Sequence, residues 1–296
     1  MPSVSTVAMV RAATTVYERT RSWMGILVTL ARRSLIAAKA AVAMTVQLGR
    51  ATGRPEQAAL FAMRHVFRRN EPVMLAWHGY RLAARGIDWP ALQEVFIEDE
   101  YGALSPFLVE RENPVVLDLG ANIGTFGLFV FAHARGAAVH SFEPSGATFA
   151  ILASNASMNP GIDWRTYRAA GWRDDGTVSF ANTEASTGGH ISKVGKEHVP
   201  TLSLSSILDR CGGRVDVAKI DIEGAEEALL VDRAPELDAI DTMVVELHPN
   251  RCDAQRVARA LSESYGQLYR IPGRRSSKPL LLATRQDHVQ LPVYSA

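Results

Sequence analysis

From position 115 onward the apolar residues fall into short continuous runs, separated by longer stretches whose apolar positions recur at helical spacing. Val115-Val-Leu-Asp-Leu119 is the first run, and Val139-His-Ser-Phe-Glu143, Trp164–Ala169, Val215–Ile220 and Thr242–Leu247 repeat the form. Runs of this length predict strands buried on both faces. Between them, Thr125–Ala134, a segment from Glu143-Pro144 to about Ser157, a segment from Ala225, and Cys252–Tyr265 read as helices. Two short strands are predicted near 267–271 and 279–284. Strands alternating with helices imply an α/β fold, a parallel sheet with helices on both faces. The stretch 170–200 breaks the alternation. It is rich in Gly, Ser and Thr, contains Thr177-Val-Ser-Phe-Ala181, and predicts a small excursion over the site.

The first third reads differently. Thr15 to Arg50 lacks proline, and at 100° per residue Arg21, Arg32, Lys39 and Arg50 fall within about 20° of one line. The rest of the circumference is apolar, including Trp23, Met24, Leu27, Val42 and Val46. Arg32, Arg33 and Lys39 interrupt every window of the roughly 18 apolar residues a spanning helix needs. A basic stripe on a broad apolar face describes a helix lying in a membrane interface, so peripheral membrane contact through residues 15–50 is one expectation. Packing of the same face on the rest of the chain, or on a second copy in a homo-oligomer, is the other. Residues 55–69 and Val73–Arg85 read as further helices, closed at Glu71-Pro72 and Gly86. The expected division is therefore a helical N-terminal extension over 1–87 and a catalytic domain over 88–296.

Composition narrows this picture. A chain of 296 residues with 47% apolar content buries a full core. Cys211 and Cys252 supply neither a disulfide framework nor metal spacing, which points to a reducing, cytoplasmic setting, at most peripheral on a membrane. Residues 1–50 hold seven Lys/Arg and one acid, a net of +6; the whole chain is +1, so the remainder is −5. A catalytic region of that sign has no basic face for nucleic acid, and no such partner is expected.

The candidate chemistry gathers at the carboxyl ends of the runs, where open α/β sheets bind ligands. Gly120-Ala-Asn122-Ile-Gly124 follows the first run and opens a helix, so backbone amides can approach a ligand. Glu143, 25 residues after Asp118, is placed to hold two ribose hydroxyls. A dinucleotide fingerprint wants glycine where Asn122 stands and its third glycine one residue after Gly124. Asp118 would also repel a pyrophosphate, whereas it suits the ammonium and sulfonium of S-adenosylmethionine. Small residues at Ala169-Ala170 suit a flat ring or tight packing. Asp221 and Glu223 end the fourth run; Glu246 and His248 end the fifth. If a hydroxyl is the acceptor of a methyl group here, a general base is needed, and His248 is the first candidate because imidazole titrates near neutrality, with Asp221 and Glu223 next. These acids with His248 could also gather magnesium, but nothing in the spacing requires it and no metal site is assigned. Lys219 reads as an ion-pair partner of a nearby acid, and capping of the second helix is one of two equal readings of Asn155.

Val116-Leu-Asp-Leu-Gly-Ala-Asn-Ile-Gly124, Phe142-Glu-Pro144, Lys219-Ile-Asp-Ile-Glu-Gly-Ala-Glu226 and Glu246-Leu-His248, with Glu100-Tyr101 ahead of them, resemble the FkbM family of S-adenosylmethionine-dependent methyltransferases over roughly residues 88–285. The resemblance implies a Rossmann-like class I methyltransferase sheet of seven strands, mostly parallel, with one antiparallel strand near the C-terminus. It also implies O-methyl transfer to a hydroxyl of a sugar, glycolipid or related natural product. Asp118, Gly120, Ala121, Asn122, Gly124, Glu143, Ala170 and Asp221 would then hold the cofactor, and His248, Asp221, Glu223 and Glu246 would serve catalysis. The competing readings are an NAD(P)-dependent oxidoreductase and a non-catalytic membrane-associated module retaining the fold.

Overall fold

The computed structural model describes residues 32, 35–183, 186–272, 277–286 and 289–294. Of the helix predicted over 15–50, residues 15–31 and 33–34 lie outside the described residues; residues 35–52 are helical (α1). Helix α2 (Pro55–Val66) follows, with proline in its first turn. The predicted third helix over Val73–Arg85 is instead a hairpin, β1 (Val73–Trp77) against β2 (Tyr80–Ala84). Burial alternates along Val73-Met74-Leu75, and the two-residue turn His78-Gly79 has positive φ at both positions (48° and 88°). Such a turn matches the twist of paired strands, and period-two burial then decides against a helix. Short helical turns, α3 (Trp89–Leu92) and α4 (Ser105–Val109), lead into the main sheet.

The remaining elements alternate much as the apolar runs predict. They are β3 (Val115–Leu119), α5 (Thr125–His133), β4 (Ala138–Phe142), α6 (Gly146–Ser157) and β5 (Asp163–Tyr167). An insertion of β6 (Ala170–Gly171), β7 (Gly176–Ala181), β8 (His190–Ile191) and β9 (Glu197–Leu202) forms a separate four-stranded sheet in the order β6-β9-β7-β8. Then come α7 (Leu204–Arg210), β10 (Val215–Ile220), α8 (Glu226–Leu230), α9 (Ala234–Leu237), β11 (Ile240–Glu246), α10 (Ala254–Tyr265), β12 (Leu268–Arg270) and β13 (Leu280–Thr284). The main sheet has seven strands in the order β12-β13-β11-β10-β3-β4-β5, and β13 runs antiparallel to both its neighbours.

The chain steps outward from β3 to β5, then returns to the other side of β3 with β10 and β11. Adjacent loops therefore diverge between β3 and β10 and leave a crevice there. One face of the sheet is covered by α5 together with α1, α2 and the hairpin, whose Leu48, Phe61 and Leu75 share a core with Phe126 and Phe129. Because it lies between two layers, α5 is apolar all round. The other face carries Leu204, Leu229, Val257 and Leu261 from α7, α8 and α10. Among the described residues no helix is long and apolar enough to cross a membrane.

Candidate active site

A cavity of about 240 Å³ lies at that crevice. Its floor is the loop after β3. Gly120 has φ of +74°, and a side chain there would collide with the Asp221 carbonyl oxygen. The amides of Gly120 and Ala121 both donate to the Phe142 carbonyl (3.0 and 2.9 Å), which ties the loop to the end of β4. Asn122, also at positive φ, donates through Nδ2 to the Ser186 carbonyl at 3.0 Å and so holds the roof of the cavity down. Gly120, Ala121, Asn122, Glu143, Ala169, Ala170, Asp221 and Glu223 all line this space, as their positions at strand ends predict.

Glu143 accepts from the amides of Asn122 (3.0 Å) and Ser145 (2.9 Å). Burial raises its pKa to about 7, with those two amides only partly offsetting the cost of desolvation. Asp221, after β10, is likewise raised to about 7 by burial and by the Glu246 carboxylate, against the pull of Lys219 and His248. Burial would push Glu223 up too, but His248 and Lys278 outweigh it and hold the carboxyl at about 2.

Four of the cofactor and catalytic assignments need correction. Asp118 is completely buried and does not line the cavity; Lys219 Nζ lies 3.4 Å from its Oδ1, and Ser141 Oγ donates to Oδ2 at 3.1 Å. Burial raises the Asp118 pKa despite both partners. Lys219, which does reach the wall, also donates to the Gly120 carbonyl at 2.7 Å, so the pair braces the loop from beneath. Gly124 is a packing position: at φ of +93°, its absent side chain makes room for the Trp164 ring and Leu152.

His248 and Glu246 lie behind the wall. His248 is 0% exposed; its Nδ1 is 2.7 Å from Glu226 Oε1, and its Nε2 faces Glu223 (3.1 Å), Glu246 (3.5 Å) and Asp221 (3.8 Å). Burial alone would lower its pKa, but the surrounding carboxylates, Glu223 and Glu226 foremost, raise it to about 10. In this arrangement the ring carries its proton at neutral pH, which removes it as the base. The cause is depth: two residues past the end of β11 the chain has already turned under the neighbouring loop.

Asn155 is not a cap. It is buried within α6, where its side chain pairs with both backbone groups of Ala83 and with the Ile123 carbonyl. The sequence assignment also missed wall residues. Tyr101 and Glu94 come from the segment before β3, and Asn182 and Ser186 come from the insertion. Only Tyr101 carried a signal, as half of the Glu100-Tyr101 pair. It is buried, and desolvation followed by the Glu100 and Asp221 charges places its pKa well above the usual phenol value.

The seven-stranded sheet with a single reversed strand, and a glycine loop and strand-end acids around its crevice, defines the class I methyltransferase architecture. Residues 118–271 match the family model described as the methyltransferase FkbM domain, and the chain belongs to that family. It is 31% identical over 161 residues to the hexuronic acid methyltransferase AglP of Haloferax volcanii, covering 52% of this chain and 64% of that protein. It is 26% identical over 200 residues to methyltransferase 1 of Beauveria bassiana, covering 59% of this chain and 78% of that protein. Human methyltransferase-like protein 13, solved in complex with SAH, superposes with a TM-score of 0.42 at 13% identity, covering 66% of this chain and 83% of the other. Family membership sets the oxidoreductase reading aside.

Proposed function

We propose that this chain is an S-adenosylmethionine-dependent O-methyltransferase acting on a hydroxyl of a sugar, glycolipid or related natural product. The observation that carries the reading is that Glu143, after β4, and Asp221, after β10, line one cavity floored by the glycine loop of the strand between them. The residues fit the cofactor. A buried carboxylate at Glu143 suits the paired hydroxyls of a ribose, Ala169 and Ala170 leave room for a flat ring, and Asp221 offers negative charge toward an ammonium or sulfonium. When bound, the cofactor supplies a methyl group on cationic sulfur.

The chain's own part is positioning and charge. Displacement at the methyl carbon is in-line, so fixing the acceptor oxygen supplies much of the rate. Asp221, in the cavity lining, would accept a hydrogen bond from an acceptor hydroxyl and draw its proton away. The roof tied down by Asn122 covers part of the cavity. The sugar class is supported by the hexuronic acid named for the Haloferax volcanii relative.

Calorimetric titration with S-adenosylmethionine, S-adenosylhomocysteine and NADH tests the cofactor. Saturable binding of the first two alone is expected; binding of NADH alone, or of none, refutes the reading. Transfer of labelled methyl from S-adenosylmethionine to glycans with and without hexuronic acid then tests the acceptor.

We also propose that α1 and α2 rest on an anionic lipid surface. Of the eleven exposed large apolar side chains among the described residues, eight lie between Leu35 and Met74, including Ile36, Val42, Met63 and Phe67. Lys39, Arg50, Arg54, Arg64, Arg68 and Arg69 accompany them, against only Glu56 and Glu71. Apolar area ringed by positive charge suits anionic lipid, whereas two such faces repel one another. Co-sedimentation with anionic vesicles and none with neutral ones is expected; equal recovery in both supernatants refutes it.

A further inference from the structure

Four carboxylates, Asp221, Glu223, Glu226 and Glu246, converge on the buried His248. The cations facing them are Lys278, 3.1 Å from Glu223 Oε1 and 3.4 Å from Glu246 Oε1, and Arg251, 2.7 Å from Glu223 Oε2. Four carboxylates held this close at this depth repel one another, which favours a cation among them.

Three atoms in the cluster are buried without an aligned hydrogen bond: Glu226 Oε2, His248 Nε2 and Asp221 Oδ1. The last two face each other across 3.8 Å, and Glu223 Oε2 stands 3.1 Å from His248 Nε2. One donor atom each from Asp221, Glu223 and His248 lies within 4.8 Å of the others. Donors bonded to one ion at 2.0–2.2 Å stand roughly 2.9 to 3.6 Å apart, so a small movement closes the set. On its far side the imidazole is oriented by Glu226, the carboxylate–histidine arrangement that holds a ring toward a metal.

We infer that Asp221, Glu223 and His248 bind a divalent metal ion directly behind the cavity floor. A proton on one acid would ease the repulsion but would leave Asp221 Oδ1 and His248 Nε2 facing each other across 3.8 Å. A divalent ion eases the repulsion and engages both. Two carboxylate oxygens and one imidazole nitrogen suit a manganese-like ion better than the all-oxygen shell of calcium. The ion would hold Asp221 in place against the cavity. In this role the inference deepens the proposed methyl transfer, but the binding itself does not depend on that reading. Lys278 is the resident competitor, since its ammonium occupies part of the same negative field.

The test is Mn2+ binding to the full chain after chelator treatment, with neither cofactor nor acceptor present, read from the loss of the free-ion paramagnetic resonance signal. One saturable site per chain is expected. Asp221→Asn and His248→Gln should each weaken it at least tenfold, with thermal melts of the metal-free variants reporting their folding, and Lys278→Gln should tighten it. An absence of saturable uptake by the wild-type chain, or uptake undiminished in both ligand variants, overturns the inference. Because no cofactor is present, a failed S-adenosylmethionine titration and a failed Mn2+ titration remain separate results.

Discussion

Replacing Asn155 with alanine isolates what holds the hairpin to the cofactor loop. Along the free edge of β2, Ala83 donates to Asn155 Oδ1 at 2.7 Å, and Asn155 Nδ2 donates back to the Ala83 carbonyl at 3.1 Å and to the Ile123 carbonyl at 2.8 Å. One turn later Asn159 repeats the pattern on Arg81, with both contacts at 2.8 Å. The two amides thus take the place of a missing neighbouring strand, residue for alternate residue. They differ in depth: Asn155 is 0% exposed, whereas the Asn159 contacts are open to solvent. Asn155→Ala strands one buried donor and two buried acceptors, at about 1–3 kcal/mol for each group left without a partner and less for carbonyls, so a loss of about 3–5 kcal/mol is expected. Asn159→Ala hands its groups to water and should cost under about 1 kcal/mol. Asn155→Asp places a carboxylate against two carbonyl oxygens and should cost more than alanine. Equilibrium urea unfolding reads all three as midpoint shifts at constant slope. Since Ile123 belongs to the loop under the cavity, Asn155→Ala should also weaken S-adenosylhomocysteine binding, while Asn159→Ala should not. Equal losses for the two alanine variants would refute the argument from burial.

Lys219→Met leaves Asp118 as a buried charge without its counter-ion and should cost about 3–5 kcal/mol; most of it should return in the double variant with Asp118→Asn. Additive losses in that double-mutant cycle, read by urea unfolding, would show the pair to be uncoupled. Glu143 sets a pH dependence. Its pKa is raised from 4.5 to about 7, so in the free chain its stabilising contribution is complete below 4.5 and lost as pH rises through 7. Binding runs the other way: the ionised carboxylate is the better acceptor for a ribose, so S-adenosylhomocysteine affinity should fall as pH drops from 8 to 6, and Glu143→Gln should flatten the profile. A profile unchanged by that substitution would remove Glu143 from the site. Gly124→Ala forces a side chain into the Trp164 ring, which is pinned by its own hydrogen bond to Ser141 at 3.0 Å. With the positive φ added, a loss of about 2–4 kcal/mol in thermal or urea unfolding is expected, and a neutral result would mean the ring can move.

The strands of the sheet were legible because a strand covered on both faces must be apolar almost throughout, and Val115–Leu119, Val215–Ile220 and Ile240–Glu246 are. The glycine loop and strand-end acids were legible for the same reason: once the runs are strands, their carboxyl ends share one edge. Val73–Arg85 misled because its apolar residues satisfy helical spacing as well as alternation, and the turn that decides between them relies on left-handed His78, which no residue-type rule flags. Asn155 misled because asparagine within a helix reads as a terminus signal, while its partner on β2 lies 72 residues away in the chain.

Depth was the quantity that spacing could not supply. Asp118 and Asp221 both sit at carboxyl ends of neighbouring strands, yet only Asp221 reaches the cavity. The register explains the difference. Lys219 pairs with Asp118 across β10 and β3, so the cation that faces Asp118 occupies the wall in its place, while Asp221 lies one step past the last paired position. Two residues beyond β11, His248 goes the opposite way, under the floor, where the surrounding acids hold its proton. The polarity of each strand-end residue is written in the sequence. Which side of the floor it occupies depends on how far past the last paired position it stands and where the chain turns, and that decides whether it meets substrate or only the residues that do.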